Sequence, residues 1–219
     1  MATPASNNGL LRGAVVLLLA LVPLQIGAAA DAPAIVATDP GQLIDSVARA
    51  ILTDIQAHRA EYRKDSVKLD ALVSSLLLPH FDTEYAARLV LGTHWSAATA
   101  DQRERFRAGF YHSLLYNYGN ELVDFDLSRL QVLPYKGDPQ AAVAVVRSFV
   151  RRSSGVQVAV NYTLRRTDEG WKAYDVIIEG ISYVKSFRDD FGAEIDQKGL
   201  AEVITRLETQ FGTTVPHAG

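Results

Sequence analysis

Apolar residues recur at three- and four-residue steps through the first half of the chain, alternate through a middle stretch, and return to helical steps near the end. Leu43, Ile44, Val47, Ile51 and Ile55 predict an amphipathic helix over roughly 40–60, with Asp39 as its cap and Pro40 at a first helical position. Leu69, Leu72, Val73, Leu76 and Leu77 predict a second helix that stops at Pro79, and Tyr85, Leu89 and Val90 a short third one ending at Gly92. Thr99 with Gln102 three positions on matches a capping box, in which each side chain satisfies a backbone donor that the helix start leaves unpaired. A long helix from about 100 to 123 follows. Phe106, Phe110, Leu114, Tyr118 and Leu122 lie along one of its faces, with Tyr111 and Leu115 beside them.

The period changes beyond Leu127. Turn signals at residues 136–139, 153–155 and 167–170 separate β-branched runs, which predicts four antiparallel strands in a meander. Val156, Val158, Val160, Tyr162 and Leu164 alternate with Gln157, Ala159, Asn161, Thr163 and Arg165, as expected of a sheet with one covered and one wetter face. Two helices close the chain, one through Tyr183, Val184, Phe187, Phe191 and Ile195, the other through Leu200, Val203, Ile204, Leu207 and Phe211. No internal repeat or long linker interrupts this order, so residues 31–219 read as a single α+β domain.

The residues before it read differently. Residues 1–13 are polar with one cation, Arg12; residues 14–26 are an apolar run; and Ala28, Ala29 and Ala30 supply small side chains. This is the pattern of a cleavable, Sec-type signal peptide over residues 1–30, because the apolar run is far shorter than the roughly 20 residues a membrane span needs. The expected location of the product is outside the cytoplasm.

Charge and composition narrow the chemistry. The 22 Lys and Arg against 25 Asp and Glu leave a net charge of −3, which gives no electrostatic reason to expect binding along a nucleic acid. The chain has no cysteine, so thiolate nucleophiles, iron–sulfur clusters and disulfides are excluded. The five histidines show no paired metal-ligand spacing, and no hydrolase, nucleotide-binding or dinucleotide-binding motif occurs. No metal or cofactor is therefore expected. Asp175, within an apolar strand, is the one acid whose placement changes the picture. In one register it faces the core as a candidate general base; in the other it pairs at the wetter face or caps the next segment. Arg151 and Arg152 fall at one end of the sheet and Arg165 and Arg166 at the other, while Arg88, Arg103 and Arg188 near helix ends are candidate partners of a phosphate group.

One feature of the apolar pattern suggests more than a core. The second strand presents Ala142, Ala144, Val146, Ser148 and Val150, all small, beside the valine row of the third, and the long helix presents bulky aromatics. Large side chains against a small-residue sheet either fill the space between them or leave a ligand cavity. The pattern leaves both open.

Two stretches carry a resemblance. Residues 91–106, LGTHWSAATADQRERF, are similar to a pattern LG..WR.AT..QR..F, and residues 170–182, GWKAYDVIIEGIS, followed by YVKSFRDDF, to GW.VYDV.IEG.S with a YR..F-like stretch. Together they resemble the MlaC family, also called the toluene-tolerance family, over roughly 40–211. Ser96 stands where that family usually has Arg, and Phe187 where it often has Tyr. The resemblance implies a four-stranded twisted antiparallel sheet wrapped by about six or seven helices and enclosing an apolar lipid pocket. It implies a soluble periplasmic carrier that moves glycerophospholipids between an outer-membrane lipoprotein complex and an inner-membrane ABC transporter complex. Contact with membrane surfaces is transient in this reading, and outer-membrane lipid asymmetry is the outcome. The expected lipid-binding residues are Val73, Leu77, Leu89, Phe106, Phe110, Leu114, Tyr118, Val146, Val150, Val158, Val160, Tyr162, Val176 and Ile178. Two alternatives stay open: an enzyme on a cone-like α+β scaffold with Asp175 as base, and a binding module for another hydrophobic ligand.

Overall fold

Five of the six α-helices described in the computed structural model start where a short polar side chain satisfies free backbone donors of the first turn. The described residues are Ile35 and 38–211 apart from 139 and 153, with backbone alone at 118–121; they belong to one unit, Ala32–Gly219. The expected leader at residues 1–30 lies outside them. Asp39 accepts from the Gln42 amide at 2.9 Å and opens α1 (Pro40–Tyr62). Asp65 accepts from the Val67 and Lys68 amides and opens α2 (Ser66–Leu77), after which Pro79 sits in a single 3-10 turn, Leu78–His80. Asp82 caps α3 (Thr83–Leu91) through the Tyr85 amide. That helix stops at Gly92, whose φ of 52° belongs to the left-handed region. Both halves of the predicted capping box form at the start of α4 (Ala100–Asp124): Gln102 N donates to Thr99 Oγ1 at 3.1 Å, and Thr99 N donates to Gln102 Oε1 at 3.0 Å.

The meander is present and carries one strand more than the four expected. β1 (Leu130–Val132), β2 (Val143–Arg151), β3 (Gln157–Thr167), β4 (Gly170–Ile178) and the two-residue β5 (Ile181–Ser182) pair antiparallel in chain order. The extra strand exists because Glu179 and Gly180, at φ 51° and 86°, form a two-residue turn of the kind that folds a strand straight back on itself. Val146, Ser148, Val158, Val160 and Leu164 are buried, whereas Val143, Val145 and Arg147 of β2 are exposed on the other face. α5 (Tyr183–Lys198) and α6 (Leu200–Phe211) complete the described chain.

The helices do not gather into one core. One apolar cluster joins α1, α2 and the sheet with Tyr111 and Leu115 of α4; the other joins α3, α5 and α6 with Phe106 and Phe110 of α4. α4 belongs to both because its 25 residues present apolar side chains in successive turns. In the second cluster α6 lies against Gly109, where a Cβ atom would come within 2.8 Å of Leu207 Cβ, so the close approach of the two helices depends on that glycine.

Candidate functional site

Between the two clusters lies a cavity of about 540 Å³. α2 contributes Val73 and Leu77, α3 Ala86, α4 Phe110, Tyr111, Leu114, Leu115 and Leu122, β4 the residues Tyr174, Asp175, Val176 and Ile178, and α5 Tyr183, Val184 and Phe187, with Phe81 and Phe125 completing the wall. The volume falls within the range of small-molecule sites, roughly 300–1,000 Å³. Two polar side chains in this wall, Tyr111 and Asp175, are already engaged. Tyr111 Oη lies 3.2 Å from Ser74 Oγ, and burial pushes its phenol up to about 12. Asp175 Oδ2 accepts from the Ser182 hydroxyl at 2.6 Å, and Oδ1 from the Val184 amide at 3.0 Å. What remains to meet a ligand is chiefly hydrocarbon and aromatic ring.

Six of the fourteen expected residues line this cavity: Val73, Leu77, Phe110, Leu114, Val176 and Ile178. Phe106, fully buried, instead packs against Phe191 with ring centroids 5.3 Å apart. Val146 belongs to the sheet side of the first cluster, with Tyr162 against it. Val158 and Val160 are buried on β3, Val150 is half-buried opposite Val158, and Leu89 is half-buried on α3. Burial also raises the Tyr162 phenol. The side chain of Tyr118 lies outside the described residues. Beyond the expected set, α5 supplies three lining residues, Tyr183, Val184 and Phe187. Their helical spacing marks an apolar face, but nothing in that spacing says the face borders a hollow rather than packed neighbours.

The register of β4 decides the position of Asp175. β3 and β4 pair Leu164 with Ala173 and Thr163 with Asp175, so Tyr174 is an extra residue in β4 and the ladder carries a bulge. The bulge sets Val176 and Ile178 opposite Tyr162 and Val160, while Asp175 takes its place opposite Thr163 at the cavity's edge. Its two oxygens hold the start of α5, which is the capping alternative and not the geometry of a free general base.

The arginines divide along the same lines. Arg165 donates to Asp82 at 2.9 Å and lies over the Tyr85 ring at 4.6 Å, and Arg103 lies over Trp95 and donates to its carbonyl at 3.0 Å. Arg188 is exposed beside Asp189. These three hold structural partners.

A model of the MlaC protein family matches residues 45–209. The chain belongs to that family. It is 28% identical over 191 residues to the toluene tolerance protein ttg2D of Pseudomonas putida, covering 87% of this chain and 85% of that one. It is 25% identical over 178 residues to the intermembrane phospholipid transport system binding protein MlaC of Haemophilus influenzae, covering 80% and 83%. A phospholipid-binding protein from Ralstonia solanacearum, solved in complex with a phospholipid, superposes with a TM-score of 0.71 at 23% identity over 78% of this chain and 96% of its own, which establishes a shared fold. The two stretches that resemble the MlaC pattern have clear places in it. The first is the end of α3 and the capped start of α4; the second is β4, its bulge, the β4–β5 turn and the first half of α5. The second stretch forms one wall of the cavity.

Proposed function

We propose that this chain is a soluble phospholipid carrier of an MlaC-type transport system, and that the cavity between the two clusters receives acyl chain. The single observation that carries this reading is an apolar hollow of about 540 Å³, with Tyr111 and Asp175 in its wall already paired, in a member of the MlaC family. The phospholipid transport named for the Haemophilus relative, and the phospholipid bound by the Ralstonia protein, support it.

The energetics explain why such a protein is needed. About 30 methylenes in two acyl chains, at about 0.8 kcal/mol each, amount to about 24 kcal/mol of transfer free energy against water. A lipid alone rarely leaves a bilayer at that cost. A wall as apolar as membrane interior cancels most of the difference, so exchange between bilayer and protein runs near balance. Direction then comes from partner complexes, in this reading an outer-membrane lipoprotein complex and an inner-membrane ABC transporter complex. Among the described residues no helix is long and apolar enough to cross a membrane. Removal of residues 1–30 would release the domain into the periplasm.

Solvent extraction of the purified protein followed by lipid mass spectrometry tests the reading. The expected result is glycerophospholipid near or above one molecule per chain. A different apolar species, or no lipid at all, overturns it.

A further inference from the structure

Beside the apolar cavity lies a second hollow of about 420 Å³, and the two share Ile178, Tyr183 and Phe187 in their walls. Its remaining lining has a different character: Arg152 from the β2–β3 connection, Glu179 from the β4–β5 turn, Ile181, and Ser186 and Asp190 from α5. Among the described residues none of the three charged side chains, Arg152, Glu179 and Asp190, has an ion-pair or side-chain hydrogen-bond partner. One guanidinium and two carboxylates thus stand around a hollow that shares part of its wall with a hydrocarbon site.

We propose that this hollow is the head-group subsite of the carrier, and that it favours a zwitterionic phosphoethanolamine-type head group over an anionic phosphoglycerol one. The proposal rests on the phospholipid-carrier reading above. Arg152 presents the planar donor fork that suits a phosphate. Glu179 and Asp190 supply acceptors for a terminal ammonium. An anionic head group brings the same phosphate to Arg152 but sets its uncharged glycerol beside two carboxylates, which then gain no counter-charge. The fold itself brings these groups together. The tight Glu179–Gly180 turn carries Glu179 past the end of β4, and α5, starting at Tyr183, returns Asp190 two turns later alongside Ser186 and Phe187. The site is open to water, so the discrimination is modest. Exposed charge pairs contribute little, and selectivity of about threefold is the corresponding expectation.

The test uses purified protein stripped of bound lipid, incubated with vesicles of equal phosphatidylethanolamine and phosphatidylglycerol carrying identical acyl chains, then re-isolated for lipid mass spectrometry. The wild-type protein should hold phosphatidylethanolamine over phosphatidylglycerol at a ratio of about 3:1. The Glu179→Gln/Asp190→Asn double variant should lose the preference and carry the two lipids at the vesicle ratio, and Arg152→Gln should lower capture of both lipids together. Normal loading with an unselective wild type, or a double variant that keeps the wild-type ratio, overturns the subsite and leaves the carrier reading intact. Absence of lipid from every protein, wild type included, overturns both.

Discussion

The Ser182 hydroxyl donates a 2.6 Å hydrogen bond to Asp175 Oδ2 across the β4–β5 hairpin, while Ser182 Oγ itself accepts from the Lys185 amide at 3.1 Å. Asp175 Oδ1 takes the Val184 amide as well. The two side chains together satisfy the first turn of α5 and fix the helix against β4 at the point where Tyr183, Val184 and Phe187 enter the cavity wall.

Asp175→Ala removes both acceptors and leaves the Val184 amide and the Ser182 hydroxyl to find water in a half-buried setting. The expected loss is about 1–3 kcal/mol, which at about 2–4 °C per kcal/mol for a domain of this size lowers Tm by roughly 2–12 °C. Thermal unfolding gives the magnitude. Hydrogen exchange should localise the new opening to the first turn of α5, and faster exchange spread evenly over the domain would contradict the latch.

Leu114 and Phe106 separate cavity from core, although both lie on the same stripe of α4. Leu114 is half-exposed in the cavity wall, whereas Phe106 is fully buried among Phe110, Phe191 and the α6 residues. Leu114→Asp should give a folded protein without retained lipid, because a carboxylate in the wall would have to be desolvated beside acyl chain. Phe106→Ala should cost about 3–5 kcal/mol of stability while keeping lipid in whatever fraction stays folded. Unfolding midpoints and extracted lipid, measured on both variants, make the comparison.

Acid should loosen the helices around the second cluster. Glu194 accepts from Arg206 at 2.7 and 2.8 Å, and Glu208 from Arg105 at 2.7 and 2.8 Å, and these hydrogen bonds hold both carboxyls below their ordinary 4.5. Depressed values mean the fold binds fewer protons than the unfolded chain, so the contribution is complete above about pH 4.5 and is lost as pH falls through the lowered values. Tm measured from pH 7 to 3 should turn down below about 4.5, and the Arg105→Gln/Arg206→Gln variant should turn down less steeply. Equal slopes would show that other carboxylates carry the effect.

Local signals made much of the fold legible. Capping chemistry placed α1, α3 and α4 because Asp39, Gly92 and the Thr99–Gln102 pair act within a few residues of themselves. The sheet followed from period-two alternation and turn residues. The bulge at Tyr174 and the β4–β5 turn did not, since a bulge depends on the partner strand and a Glu-Gly turn is weaker punctuation than Asn-Gly. The site was legible in part for a similar reason. Periodicity identifies an apolar face but not what stands opposite, so Phe106 and Leu114 look alike in sequence although one meets Phe191 and the other a hollow. α5 was missed as a wall because its place is set by Asp175 and Ser182, residues seven apart whose bond exists only once the hairpin has closed.

The location of bound acyl chain tests the account most directly. A phospholipid carrying a diazirine at the end of one acyl chain, loaded into the protein and irradiated, marks the residues that touch the chain end, and peptide mass spectrometry reads them. Adducts should fall on α4 and α5 around Leu114, Leu115 and Phe187. Adducts confined to the exposed sheet face at Val143 and Val145, with lipid bound, would contradict the account.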